Sequence, residues 1–187
     1  MDRAAFVLAG GQSRRMGRDK AMLPLAGKSL VEHMASIAKE AAGSAAIVGD
    51  PAKYGYTGFS VVTDLRPGCG PLSGIHTALT VSHAAWNLIL ACDMPQVSPA
   101  FLLSLVNRAL AGSCDCVIPA GPSGKPEPLC AVYHLRSLPA ISRALDSKVY
   151  KIMEAVKDLR LDIWQIPESS CFQNVNTPQD WACYVNG

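Results

Sequence analysis

Two runs in this chain, AAFVLAGG (4–11) and NLILACDM (87–94), are apolar at almost every position. A strand with one wet face alternates apolar and polar residues. A strand without that alternation has to be covered on both faces. Chains that carry such strands fold as a sheet between two helical layers. The sequence between the runs supplies the helices. SLVEHMASIAKEAAG (29–43) spaces Leu30, Val31, Met34, Ile37, Ala38 and Ala41 at helical intervals, and Gly43 is a stop. GPLSGIHTALTVSH (70–83) opens on Gly70-Pro71, with proline in the first turn. SPAFLLSLVNRALAG (98–112) is bracketed by Ser98, Pro99 and Gly112. AAIVGD (45–50) and FSVVTD (59–64) are strand candidates between the helices.

Further along, CDCVIPA (114–120) and LCAVYH (129–134) are strand candidates joined by the Gly/Pro-rich GPSGKPEP. SLPAISRAL (137–145) and VYKIMEAVKDL (149–159) are predicted as short helices, and LDIWQIPE (161–168) as an edge strand. TPQDWACYVNG (177–187) is predicted as a final helix capped by Thr177. No repeat, linker or low-complexity segment interrupts the pattern. With 187 residues, 49% hydrophobic, the chain is expected to be one domain, residues 1–187. The expected fold is α/β: a three-layer α/β/α arrangement with a Rossmann-like, mostly parallel central sheet. Ligands of such sheets bind beyond the carboxyl ends of the strands. Those ends here are Gly10-Gly11, Gly49-Asp50, Asp64 and Asp93.

The net charge of +2 is too small for general adhesion to nucleic acid or membrane, so neither is expected as a partner. No apolar run approaches ~18 residues, and MDRAAF lacks a signal-peptide pattern, so a cytoplasmic protein is expected. The cysteines at 69, 92, 114, 116, 130, 171 and 183 form no C-x-x-C pair and have no histidine at zinc spacing. They read as apolar thiols of a reducing compartment, with Cys114 and Cys116 on one face of a strand.

LAGGQSRRMGRDK (8–20) puts two glycines at a strand end, then Arg14, Arg15, Arg18 and Lys20. A dinucleotide fingerprint needs G-x-G-x-x-G, and glycines 10, 11 and 17 do not supply it. A Walker A loop needs G-x-x-x-x-G-K-[ST]. Gly27-Lys28-Ser29 matches its end, but position 22 is Met and AMLPLA is no leading strand. The remaining functional reading is an anion cradle. Gly10 and Gly11 let the backbone approach phosphates, successive N–H groups form a concavity, and basic side chains meet the oxygens. The alternative is a solvated basic loop.

Asp93, in ACDMP (91–95), ends a buried strand, where a carboxylate needs a partner or a metal. It suits Mg²⁺, which takes one or two carboxylates plus phosphate oxygens. A turn or N-cap aspartate is the other reading. Asp64 either bonds a base or sugar or closes the turn before RPGCGP.

In their order and spacing, LAGGQSRRMGRDK, GPLSGI (70–75), ACDMP and NVNTPQD (174–180) resemble the motifs of the molybdenum cofactor guanylyltransferase family, part of the NTP transferase superfamily. The resemblance runs from Leu8 to Asp180 and implies a fold of the nucleotide-diphospho-sugar transferase type. It implies GTP and Mo-molybdopterin as substrates, Mg²⁺ as cofactor, and molybdopterin guanine dinucleotide and pyrophosphate as products. Leu8, Ala9, Gly10 and Gly11 would form the turn that contacts GTP. Arg15 and Lys20 would be catalytic, stabilising the triphosphate and the leaving pyrophosphate. Asp93 would be catalytic as the Mg²⁺ ligand beside GTP. Asp64 would look toward the guanosine, and Gly70, Pro71 and Gly74 would shape the base pocket. Asn174 and Asn176 would meet the pterin phosphate, with capping ahead of Thr177 as the other reading. Lys125, in GKPEPLCAVY, is a further candidate for the pterin phosphate. Family members often carry Asn after the second strand. Here Gly49 stands there, followed by Asp50, so its contact with the nucleotide is limited to backbone. The N-terminal part would thus bind GTP and Mg²⁺ and the C-terminal part molybdopterin, with molybdoenzymes or their chaperones receiving the product.

Alternatives within the superfamily are a cytidylyltransferase and a sugar-phosphate nucleotidyltransferase. Outside it stands a non-catalytic molybdopterin- or nucleotide-binding protein, which could dispense with Lys20 or Asp93. An NAD-dependent oxidoreductase is disfavoured by the glycine spacing, although Asp50 follows the second strand.

Overall fold

The computed structural model describes residues 2–10, 19–25, 27–167, 172–175 and 177–186. Its strands are β1 (Arg3–Leu8), β2 (Pro24–Leu25), β3 (Lys28–Ser29), β4 (Ala45–Val48), β5 (Ser60–Val62), β6 (Trp86–Ala91), β7 (Cys116–Ala120), β8 (Cys130–His134) and β9 (Leu161–Gln165). Its α-helices are α1 (Leu30–Ala42), α2 (Pro51–Tyr54), α3 (Pro71–Val81), α4 (Pro99–Ala111), α5 (Leu138–Asp146), α6 (Ile152–Ala155) and α7 (Pro178–Asn186).

One seven-stranded sheet has the order β5-β4-β1-β6-β8-β7-β9, and β2 and β3 pair as a separate hairpin. β5, β4, β1 and β6 run parallel. β8 runs against both β6 and β7, and β9 is parallel to β7. The reversal at β8 follows from its connection. GPSGKPEP is shorter than the dozen or so residues a parallel crossover requires. The chain therefore turns back at once, and β8 fills the slot between β6 and β7.

The two-faced strands are covered as their sequence demands. β1 sends Ala5 and Val7 into one core and Phe6 and Leu8 into the other. β6 divides Leu88 and Leu90 from Ile89, and β8 divides Val132 from Ala131 and Tyr133. Leu30 and Met34 of α1, Leu102 and Leu105 of α4 and Trp181 of α7 close the first core. Leu72 and Ile75 of α3, Ile141 and Leu145 of α5 and Ile152 of α6 close the second. Each such side chain stabilises the fold by about 1.5–3 kcal/mol relative to exposure. The result is the expected three-layer α/β/α arrangement. No helix among the described residues is long and apolar enough to cross a membrane.

Helix α1 shows what becomes of Gly27-Lys28-Ser29. Lys28 and Ser29 form β3, and both the backbone N–H (2.9 Å) and hydroxyl (2.5 Å) of Ser29 donate to the Glu32 carboxylate. These bonds hold the Glu32 carboxyl below its ordinary range and cap the helix. Gly43, at φ 83°, ends it in the left-handed conformation that favours glycine. The Walker-like run is therefore a hairpin and a cap.

Two sequence expectations need correction, and three short elements were not anticipated. The helix expected over 149–159 is only the single turn Ile152–Ala155, because Val156 leaves the helical backbone (φ −106°, ψ 3°) and buries in the second core. Cys114 precedes β7 and packs on the first core, whereas Cys116 lies in the second, so the two do not share a face. The β2–β3 hairpin and α2 had no strong pattern to announce them, being two to four residues per element.

At the sheet edge opposite the carboxyl end of β7, Asp115 ties three strands together. Its carboxylate accepts from Arg136 Nε, from Arg160 Nη2 (3.0 Å) and from the Arg160 backbone N–H (2.9 Å), while its carbonyl accepts from His134 N (2.8 Å). The side chain is 10% exposed. The hydrogen bonds from Arg160 and Arg136 hold its carboxyl far below the usual carboxylate range, outweighing burial. Asp115→Ala is expected to lose about 2 kcal/mol at neutral pH. A folded-state pKa below the unfolded one means that this stabilisation is complete above about pH 4 and fades as the pH falls further. Urea unfolding of both proteins at pH 7 and pH 3 should find the gap smaller in acid.

Candidate active site

β1, β4, β5 and β6 point their carboxyl ends to the same edge, and the strand order reverses between β1 and β6. A crevice opens where connections depart in opposite directions, and open α/β sheets bind ligands there. Leu8 and Ala91 are in register, and Cys92 N donates to Leu8 O at 3.3 Å. Ala9 N donates to Val48 O at 2.9 Å. The turns that follow β1 and β6 therefore start side by side. Gly10 is exposed, and a Cβ built on it meets nothing within 4 Å. Gly11 and Arg15, with their neighbours Arg14 and Arg18, lie outside the described residues.

The chemistry at this edge centres on Lys20 and Asp93. Lys20 Nζ lies 2.5 Å from Asp93 Oδ2, with side chains 22% and 16% exposed. Asp93 is held by buried neighbours, Cys92 and Met94, and its carbonyl accepts from Val175 N at 2.9 Å. Cys92 is no nucleophile: burial, with help from the Asp93 charge, pushes its thiol up to about 12. Lys20 begins a 3-10 turn, Lys20–Met22, whose N-cap is Asp19. An ammonium and a carboxylate in contact at a half-covered strand end are charges that a polyanion and a cation can separate and take over.

Asp64 sits in the loop after β5. Its Oδ1 accepts from Arg66 N (3.1 Å), Thr77 Oγ1 (3.0 Å) and Ser73 Oγ. Ser73 and Thr77 belong to α3, so one oxygen anchors the loop to that helix, and both sequence readings of Asp64 can hold together. Gly70 caps α3 at φ 71°, ψ −165°, a conformation that glycine alone adopts readily, and Pro71 follows at the first helical position. Gly74 is buried, and a Cβ there would lie 3.0 Å from Leu8 Cδ1. It lets α3 seat on β1.

Gly49 has an equally definite reason. A Cβ on it would lie 2.7 Å from Tyr54 Cε2 and 3.3 Å from Ala9 O. The aromatic ring occupies the room a side chain would need. Its N–H is used by Val62 O at 2.9 Å.

The second half of the sheet brings its candidates to the same edge. Asn174 is exposed and precedes Val175, whose N–H binds Asp93 O, so this motif is tethered to the end of β6. Asn176 lies outside the described residues. Thr177 and Asp180 cap α7 reciprocally, at 2.8 and 3.1 Å. Lys125 is on the β7–β8 loop with its side chain 76% exposed, 3.4 Å from Glu127 Oε1.

Two residues were missed by sequence reasoning. Asp19 accepts from Ala21 N (3.1 Å) and from the Tyr54 hydroxyl (2.8 Å), holding the turn that carries Lys20. The partners lie 35 positions apart, and no local pattern links them. Asp19 could have been read as the cap of a turn.

Among the described residues, no three His, Cys, Asp or Glu side chains gather as a metal cluster. Mg²⁺ needs no such cage, since it keeps waters and phosphate oxygens and takes one or two carboxylates. The hard oxygens of the partly exposed Asp93 fit that demand.

The sequence matches the MobA-like NTP transferase domain family over residues 5–160. A probable molybdenum cofactor guanylyltransferase of Methanothermobacter thermautotrophicus is 34% identical, over 93% of this chain and 94% of the relative. A protein of the same description from Natranaerobius thermophilus is 33% identical, over 95% and 92%. The crystal structure of molybdopterin-guanine dinucleotide biosynthesis protein A from Archaeoglobus fulgidus superposes with a TM-score of 0.82 at 29% identity, covering 96% of this chain and 95% of that one.

The two glycines at the edge should respond oppositely to a methyl group. Gly49→Ala is expected to lower stability by about 1–3 kcal/mol through collision with Tyr54, and Gly10→Ala by under about 0.5 kcal/mol. Chemical denaturation of the two variants measures both.

Proposed function

The chain belongs to the family of MobA-like NTP transferase domains, and from that premise we propose that it transfers GMP from GTP to Mo-molybdopterin. The products are molybdopterin guanine dinucleotide and pyrophosphate. The observation that carries this reading is the Lys20–Asp93 pair in the crevice between β1 and β6. The relatives named as guanylyltransferases supply the substrates.

A terminal phosphate oxygen of the pterin attacks the α-phosphorus of GTP, and the bond to the β,γ-pyrophosphate breaks in line. Such a transfer needs alignment and charge neutralisation more than covalent help from the protein. Lys20 exchanges its contact with Asp93 for the triphosphate and stabilises the pyrophosphate as it leaves. Arg15 adds a second cation on the same loop. Asp93, released from Lys20, would hold Mg²⁺. When bound, that ion neutralises phosphate charge and polarises the phosphoryl oxygens. The turn Leu8–Gly11 lies along the nucleotide. Asp64, fixed through Oδ1, offers its second oxygen to the guanosine, while Gly70 and Pro71 border the base and Gly74 seats their helix. Gly49 supports the site from beneath. Lys125, Asn174 and Asn176 face the pterin phosphate, so the C-terminal part binds the acceptor and the N-terminal part the donor. A nucleoside triphosphate substrate places the work in the cytoplasm, with molybdoenzymes or their chaperones taking the product.

The test is to incubate purified protein with Mg²⁺, Mo-molybdopterin and each nucleoside triphosphate in turn. Pyrophosphate release with GTP alone is expected. Release with CTP alone would make the chain a cytidylyltransferase, and none with any nucleotide would overturn the transferase reading. Asp93→Asn should lower kcat by about a hundred-fold or more with an unchanged circular dichroism spectrum.

A further inference from the structure

Lys20 opens a turn of three residues closed by two backbone hydrogen bonds, Met22 N to Asp19 O and Leu23 N to Lys20 O, each 3.1 Å. Asp19 holds that turn with both oxygens. Oδ1 accepts from Ala21 N at 3.1 Å, and Oδ2 accepts from the Tyr54 hydroxyl at 2.8 Å. Lys53 Nζ is 3.6 Å from the same Oδ2, but its side chain is 58% exposed and adds little. Tyr54 itself is 2% exposed and belongs to the first core. Its ring fills the space left by the missing side chain of Gly49. Burial and the Asp19 carboxylate raise the phenol far above its ordinary range, so it stays protonated and remains a donor. A line of contact thus runs from Gly49, at the end of β4, through Tyr54 and Asp19 to the base of Lys20.

We propose that Tyr54, acting through Asp19, is a positioning residue that aims Lys20 at the phosphates bound beside Asp93. This rests on the nucleotidyl-transfer reading of Lys20 given above. Tyr54 reaches no reacting atom. It transmits the rigidity of the core to a short turn that would otherwise sample several directions for its cation. The same line explains Gly49, since any side chain there would displace the ring and the hydroxyl with it.

Tyr54→Phe keeps the ring and removes the bond. It is expected to lower kcat/KM for GTP about ten-fold and to speed amide exchange over Lys20–Met22 about ten-fold. In a Lys20→Ala background the same substitution should change kcat/KM by less than about two-fold, because it acts through Lys20. A merely structural loss would lower activity in both backgrounds. Tyr150→Phe removes a hydroxyl from a 44% exposed tyrosine between α5 and α6, and it should move neither readout. Unchanged exchange, unchanged kcat/KM, or equal losses in the two backgrounds would overturn the proposal. If the parent protein transfers no nucleotide at all, the reading of the site falls, while the exchange measurement still decides whether Tyr54 holds the turn.

Discussion

Because β1 and β6 bury side chains on both faces, their peptide groups find partners in neighbouring strands, and a polar side chain within them, such as Asn87, is spent on internal hydrogen bonds. Functional groups can be attached only where these strands stop. Both stop at the same edge, in register at Leu8 and Ala91. The crevice follows from the order of connections: β4 and β5 are laid down on one side of β1, and β6 on the other. The two cores then hold the edge still, so that a short turn and a single aspartate meet there.

Two aspartates on opposite edges show how partners divide structure from chemistry. Asp115 receives two guanidinium groups and a main-chain N–H, all contributed by strands or their immediate ends. Nothing a ligand brings could compete with that set. Asp93 has the same kind of position beside a buried strand, but its charge faces Lys20, and its fixed contact is through the carbonyl rather than the carboxylate. The side chain is thereby free to exchange partners while its Cα stays in place. Neighbouring Cys92, held as a neutral thiol, adds no competing charge.

The layered fold was legible because unbroken apolar strands and three-four helical spacing act over whole elements, as in β1, β6, α1 and α4. The antiparallel β8 was implicit in the length of one loop. What escaped was short or distant. The β2–β3 hairpin has too few residues for a period, and the helix predicted around Ile152 continues in sequence pattern after the backbone has left it. At the site, Asp93 and Asp64 were legible as charges at strand ends, and Lys20 as a cation of the loop after β1. Gly49 was read as a departure from a family pattern, whereas its cause is an aromatic ring five residues later in a different element. The bond between Tyr54 and Asp19 carries no local signature because it exists only once α2 has folded against the turn.

The hydrogen bond from Val175 to the carbonyl of Asp93 has a consequence for how such an edge can diversify. It uses no side chain of either residue, so it survives substitution on both sides. The segment that follows β9 is thus tied through main chain to the end of β6 at Val175, while Asn174 beside it is exposed. Side chains beside that bond can therefore change while the end of β6 keeps its place. The main-chain bond serves as a common origin for the two segments.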